Sequence, residues 1–285
     1  MNESDRFAGR FLIPGGLWLL VFFAIPFGIV LALSFGTPGE LGGASYGWYP
    51  DNYSRAFDPL FVPVLLRSVG YALATVVLCL LLGYPIAYYI ARFGGRYKYL
   101  LVALVVLPFL VNYLIRVYAW VAILSDEGLV NGLLVDLGLT TDGIRFLNTP
   151  YAVIGGLVYG YMAFMILPVY AALDRMDPSL IEAGKDLYAN GWQTFRHVTW
   201  PATFQGVLAG AVLVFLPAVG DFISAQLLGG PDTYMVGNLI QDQFFTANNW
   251  PFGSALTVVM MVFLSFWMVG YLRSAAREAR DPVGA

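Results

Sequence analysis

The sequence predicts an all-α membrane protein of six transmembrane helices, with a short amphipathic helix on the cytoplasmic side between the fourth and the fifth. Of 285 residues, 59% are hydrophobic and only 12% charged, whereas a soluble domain carries roughly 25% charged residues. The mean hydropathy is +0.71. Six separate apolar stretches reach the ~20 residues that a helix needs to cross the hydrocarbon core. A chain so poor in charge cannot coat a globular surface, which excludes a soluble enzyme, a secreted disulfide scaffold and a disordered protein. The single cysteine, Cys79, cannot form an internal disulfide, and the single histidine, His197, cannot build a His-rich metal site. A net charge of −3 argues against a general nucleic-acid binder.

The apolar stretches run over residues 11–35, 65–91, 99–124, 150–173, 203–229 and 252–272. The first follows Arg6 and Arg10 as a signal peptide would, but its apolar run exceeds the ~7–15 residues of a signal h-region and reads as a retained span. Pro14, Pro26, Pro85, Pro108, Pro168 and Pro217 fall within the stretches. Neighbouring helices can satisfy the backbone groups that proline frees, so kinks suit a bundle better than isolated anchors. Gly155, Gly156, Gly160, Ala209, Gly210 and Ala211 supply small surfaces for close helix approach.

Basic residues set the orientation. Residues 1–10, the 92–98 loop, the 174–201 loop and the 273–285 tail hold Arg6, Arg10, Arg92, Arg96, Lys98, Arg175, Lys185, Arg196, Arg273, Arg277 and Arg280, against Arg55 and Arg145 in the opposite loops. Both termini are therefore expected in the cytoplasm, with a multi-pass domain over residues 11–272 between them. The outer loops carry Glu40, Asp51, Asp58, Asp126, Glu127, Asp136, Asp142, Asp232 and Asp242. Translocated loops are commonly poor in bases, and a negative outer face also favours a basic partner or a cationic solute.

Ionisable residues at bilayer depth are costly and are functional candidates. Arg116 lies within the third stretch, as a structural ion pair, a snorkelling side chain or a pathway residue. Asp221 lies in the fifth, after Pro217 and Gly220, either as a helix-terminal carboxylate in water or as one facing a cavity, where it would attract an ammonium group. Asn112, Tyr118, Trp120 and Phe222 offer hydrogen-bonding and cation–π surface, although aromatic residues in spans also serve as lipid belt and core. No Ser/His/Asp cluster and no GxxxxGK[ST] appears, so the chain is not expected to hydrolyse ATP itself. A membrane-embedded enzyme would need more acids or metal ligands at depth. A secondary transporter would be favoured by inverted repeats, and no clear repeat is visible.

The loop between the fourth and fifth stretches is informative. Asp177-Pro178 is a helix start and Asn190-Gly191 a stop, predicting a helix of about a dozen residues. Leu180, Gly184, Leu187 and Tyr188 form its apolar stripe, with Glu182, Lys185 and Asp186 on the other side. Membrane-surface helices carry mainly Lys and Arg on the polar face; the excess of acids here favours a protein groove.

This loop resembles the EAA motif of permease subunits of binding-protein-dependent ABC importers. Glu182-Ala183-Gly184 opens the motif, Val198 takes its aliphatic position and Trp200-Pro201 closes it. Gly184 stands for the second Ala, Trp200 for Leu, and Tyr188 for the usual Gly; the aromatic implies a longer helix or a pocket filled on the partner. The chain is most similar to the spermidine/putrescine importer group, through Leu107-Pro108-Phe109, Leu114-Ile115-Arg116-Val117-Tyr118-Ala119-Trp120, Val219-Gly220-Asp221-Phe222, Leu227-Leu228-Gly229-Gly230 and Asn249-Trp250-Pro251-Phe252-Gly253. Members of the same group move iron(III), opines or phosphonates. The resemblance implies a bacterial inner-membrane permease paired with a second, paralogous permease. It implies two ABC ATPase subunits carrying ATP and magnesium, an extracytoplasmic solute-binding protein, and no cofactor on this chain. It further implies that Glu182, Ala183, Gly184, Asp186, Leu187 and Tyr188 couple to the ATPase, with Arg116, Tyr118, Trp120, Asp221 and Phe222 as pathway candidates.

Overall fold

Six helical stretches long and apolar enough to cross a membrane occur among the described residues of the computed structural model: Pro14–Ser34, Val62–Phe93, Tyr113–Asp136, Pro150–Arg175, Gly191–Val219 and Trp250–Arg273. The described residues are 14–39, 42–141 and 143–278. The expected N-terminal segment 1–10 with Arg6 and Arg10, the end of the tail with Arg280, and the outer acids Glu40 and Asp142 lie outside them, as do the side chains of Lys185 and Arg277. The helices are α1 (Pro14–Ser34), α2 (Asp51–Ala56), α3 (Val62–Phe93), α4 (Lys98–Val106), α5 (Tyr113–Leu124), α6 (Leu129–Asp136), α7 (Pro150–Arg175), α8 (Ser179–Asp186), α9 (Gly191–Val219), α10 (Ile223–Leu228), α11 (Val236–Phe245) and α12 (Trp250–Glu278). The protein is thus an all-α membrane protein with six candidate spans.

Two stretches depart from the expected bounds. Residues 99–124 are not one helix. After α4 the chain tightens into a 3₁₀ turn over Leu107–Leu110, extends at Val111, and restarts as α5 with the Asn112 side chain accepting the Leu114 N–H at 2.9 Å. Pro108 has no N–H to continue the ladder, and Asn112 supplies the cap that makes a restart stable. The third candidate span accordingly joins α5 and α6. Residues 203–229 are also interrupted: α9 stops at Gly220 after Pro217, and α10 begins at Ile223. The other intrahelical prolines, Pro85 and Pro168, are carried within α3 and α7, and in α1 Pro26 follows a π-helical turn over Leu20–Ala24 that accommodates its missing donor.

The chain divides into two compact units. Among the described residues, one comprises 14–62 (without 40 and 41) and 239–263. Within it the Asn52 side chain donates to the carbonyls of Ser34 (3.0 Å) and Gly36 (2.9 Å), tying α2 to the end of α1. Phe35 stacks on Trp48, and the Arg55 guanidinium lies 4.6 Å from the Phe252 ring centre. The hairpin of β1 (Thr37–Pro38) and β2 (Ala44–Ser45) completes this unit.

The other unit comprises, among the described residues, 63–238 (without 142) and 264–278. Its core is the packing of α7 on α9, with Met165, Val169, Leu173 and Val214 fully buried beside Cys79 and Ala87 of α3. Close approach depends on Gly206 and Gly210, one helical turn apart on α9. A Cβ at Gly206 would come within 2.6 Å of the Ala172 Cβ and 2.7 Å of the Pro168 carbonyl oxygen, and one at Gly210 within 2.8 Å of the Met165 sulfur. Gly156 and Gly160 are similarly constrained, whereas Gly155 has open space around it. Lys98, at the start of α4, pairs with Asp174 near the end of α7, which raises the lysine's pKa chiefly through that hydrogen bond. The two helix ends, and with them the α7–α9 loop, therefore lie at the same end of this unit.

Candidate functional site

The loop between α7 and α9 is built by two caps. The Asp177 carboxylate accepts the Ser179 N–H at 2.9 Å and starts α8; this bond from the backbone, with a further one from the Ser179 side chain, holds the carboxyl below its ordinary value. Asn190 and Gln193 form a reciprocal capping box that starts α9. Asn190 therefore begins a helix and does not end one, and α8 has eight residues in place of the expected dozen. Its end is a left-handed cap. Tyr188 has φ +59°, and the Ala189 N–H reaches the Gly184 carbonyl at 3.1 Å, a Schellman closure. The motif's glycine position is thus the residue that must turn left-handed. Tyr188 makes that turn without lengthening the helix, at a conformational cost of about 1–2 kcal/mol.

The expected apolar stripe divides in two. Gly184 is buried against Thr194 and Val198 of α9, and Ile181 is half-buried beside it. Leu187 is 82% exposed, Tyr188 97% and Trp192 68%, with Leu180 also turned outward. Glu182, Ala183 and Asp186 share this exposed side. The loop therefore presents a rim of large apolar side chains edged by two carboxylates and uncovered within the chain.

A second constellation lies where α5, α7 and α10 meet. Asp221, 6% exposed, sits in the break before α10. One of its oxygens accepts the Ser224 N–H at 2.9 Å; the other accepts the Tyr161 hydroxyl at 2.8 Å, the Ser224 hydroxyl at 3.2 Å and the Tyr113 hydroxyl. The carboxylate is thus not free in water. Four donors spread its charge, and among the described residues no cation lies within ion-pair distance of it.

Arg116 is 8% exposed and has no ion pair among the described residues. Its guanidinium carbon lies 5.2 Å from the ring centres of Phe109 and Tyr113 and 5.9 Å from that of Tyr159. Its Nε is buried without a hydrogen-bond partner. Arg116, Tyr159 and Trp120 line a cavity of about 320 Å³ whose other walls are apolar. Trp120 meets Tyr159 edge to face at 5.6 Å. Tyr118 is exposed and lies off this face of α5, while Phe222 is only partly buried and is tied through its carbonyl to the Asn238 side chain at 2.8 Å. Asn112 acts as the cap of α5.

The structure thus gathers Arg116, Trp120 and Asp221 near partners that the sequence reading did not single out: Phe109, Tyr113, Tyr159, Tyr161 and Ser224. One signal pointed to them. Tyr159-Gly160-Tyr161 places two phenols around a residue without a side chain, and a Cβ at Gly160 would come 3.0 Å from the Tyr113 ring. Glycine there lets Tyr113 lie across α7 and reach Asp221.

Residues 81–278 match the family of binding-protein-dependent transport system inner membrane components. The chain is 42% identical to the spermidine/putrescine transport system permease protein PotB of Haemophilus influenzae over 260 residues, covering 90% of each chain. It is 38% identical to the protein of the same name from Escherichia coli over 258 residues, 90% of this chain and 94% of that one. Among solved structures, a bacterial alginate ABC transporter in complex with its alginate pentasaccharide-bound periplasmic protein superposes with a TM-score of 0.74 at 20% identity, covering 96% of both chains, a likeness of fold. The chain belongs to the binding-protein-dependent transport system inner membrane components, a family of ABC importer permeases.

Proposed function

We propose that the chain is the permease subunit of an ATP-driven importer of polyamines, spermidine and putrescine, delivered by an extracytoplasmic binding protein. The observation that carries this reading is the identity of 36–42% to spermidine/putrescine permeases along nearly the full length of both chains. The acidic outer loops agree with a cationic solute. The permease works beside a second, paralogous permease and two ATPase subunits that hold the ATP and magnesium; this chain binds no cofactor of its own. Eleven basic residues on one set of loops against two on the other favour both termini, and the α7–α9 loop, in the cytoplasm.

In this reading α8 is the coupling element. Leu187, Tyr188 and Trp192 project from a short helix anchored through Gly184, and exposed aromatic and aliphatic residues of this kind fill a groove on a partner. Glu182, Ala183 and Asp186 complete the exposed surface that meets that groove, while Gly184 keeps the helix close to α9. Closure of the ATPase pair pushes α8, and the anchored α9 carries the movement into the bundle. Arg116, Trp120 and Asp221, with Tyr118 and Phe222 at its edges, mark the pathway. The test is uptake of labelled spermidine into proteoliposomes holding the whole complex. Uptake competed by putrescine and lost with the Glu182→Arg variant supports the reading. Uptake only of iron(III), an opine or a phosphonate overturns the polyamine assignment, and full uptake by Glu182→Arg overturns the coupling role.

A further inference from the structure

We propose that the rings around Arg116 form a site for the ammonium group of the transported amine, and that Arg116 fills it in this structure as a tethered cation that substrate displaces. The proposal rests on the polyamine reading above and adds to it where in the chain the amine is held.

Three rings from separate places converge on one guanidinium. Phe109 comes from the 3₁₀ turn that interrupts the third apolar stretch, Tyr113 from the first turn of α5 and Tyr159 from α7, at 5.2, 5.2 and 5.9 Å. Such a cage selects for positive charge and makes no demand on hydrogen-bond geometry, so an alkylammonium satisfies it as well as a guanidinium does. The Tyr113 hydroxyl donates to Asp221, and the carboxylate makes that ring more electron-rich and a better cation partner.

Arg116 is held weakly for a buried arginine. No carboxylate pairs with it among the described residues, and its Nε–H has no acceptor although it is buried. An arginine placed for structure alone is expected to have its donors satisfied. Beside it lies the cavity of about 320 Å³, walled by Trp120, Tyr159 and aliphatic side chains. That space suits the methylene chain between two ammonium groups, and it gives the arginine somewhere to go. The two cations repel, so occupancy by one excludes the other, and the site admits substrate only when Arg116 leaves.

The test uses the complete complex in lipid, with equilibrium binding of labelled spermidine measured without the binding protein and ATPase activity measured with it. Arg116→Met should lower the half-maximal spermidine concentration about tenfold, the scale of one cation–ring contact. Arg116→Lys, which keeps a cation in reach of the rings, should stay near wild type. Adding Tyr159→Leu to Arg116→Met should abolish the gain, because the ring that holds substrate is gone. An unchanged Arg116→Met overturns the proposal. So does a gain that survives Tyr159→Leu, since removal of charge alone would then account for it. Failure of both Arg116→Met and Arg116→Gln to assemble also overturns it, because a displaceable cation cannot be indispensable to the fold. A wild-type complex silent to the spermidine-loaded binding protein would instead count against the polyamine reading itself.

Discussion

Tyr188 occupies a backbone conformation that costs an L-residue about 1–2 kcal/mol, yet its side chain is 97% exposed and repays nothing within the chain. A strained residue that packs on nothing is best explained by what it meets elsewhere. Tyr188→Gly should therefore steady the end of α8, seen as slower amide exchange at Ala189, while lowering transport-coupled ATP hydrolysis several-fold; unchanged hydrolysis would remove the ring from the coupling surface. Asp221 poses the opposite case, a buried carboxylate held by four donors within the chain. Asp221→Asn keeps one acceptor oxygen but turns an NH₂ toward the Tyr113 and Tyr161 hydroxyls. We expect a loss of about 1–3 kcal/mol, read as a lower unfolding temperature in detergent, together with reduced transport. Asp221 could be singled out from the sequence because it is a charge in an apolar run. Tyr113 and Tyr161 carried only the indirect sign of the Tyr159-Gly160-Tyr161 spacing and Ser224 none, because an ordinary tyrosine in a span does not show which carboxylate it will meet.

At the level of elements, long apolar runs were readable and their interruptions were not. The second and fourth stretches match α3 and α7 closely, since nothing competes with the helix there: Pro85 and Pro168 are carried within it. The third fails at Pro108 and Asn112, where a missing donor and an available cap coincide within an apolar run that hides both. The loop helix starts where Asp177-Pro178 predicts but ends earlier: Asn190-Gly191 carries the signals of a stop and of a start, and the Gln193 side chain decides between them by closing a capping box. On α5 the spacing 113, 116, 120 defines one face, which explains why Tyr118, on another, stands apart from the cluster. The α7–α9 contact leads to a sharper expectation. Gly210→Leu would drive a side chain into Met165, already 2.8 Å from a Cβ. Overpacking of this kind costs about 1–3 kcal/mol or more, so expression of folded protein should fall steeply, whereas Gly155→Leu, in open space, should be tolerated.

For the whole molecule, the distribution of basic residues puts the α7–α9 loop and the 125–149 loop on opposite sides of the membrane in the proposed topology. Cys79 is buried, so a single introduced cysteine reports its own location. A membrane-impermeant maleimide should label Leu137→Cys from the outside of intact spheroplasts, and Leu187→Cys only once the membrane is opened. The reverse pattern would invert the topology and place α8 away from any ATPase. The central claim is that this permease converts ATP hydrolysis into polyamine import through the α8 surface. It is tested most directly by ATPase activity of the complete complex in lipid, with the binding protein empty or loaded with spermidine. The account predicts strong stimulation by the loaded protein alone, abolished by Glu182→Arg. Equal hydrolysis with empty and loaded binding protein, or stimulation that survives Glu182→Arg, would contradict it.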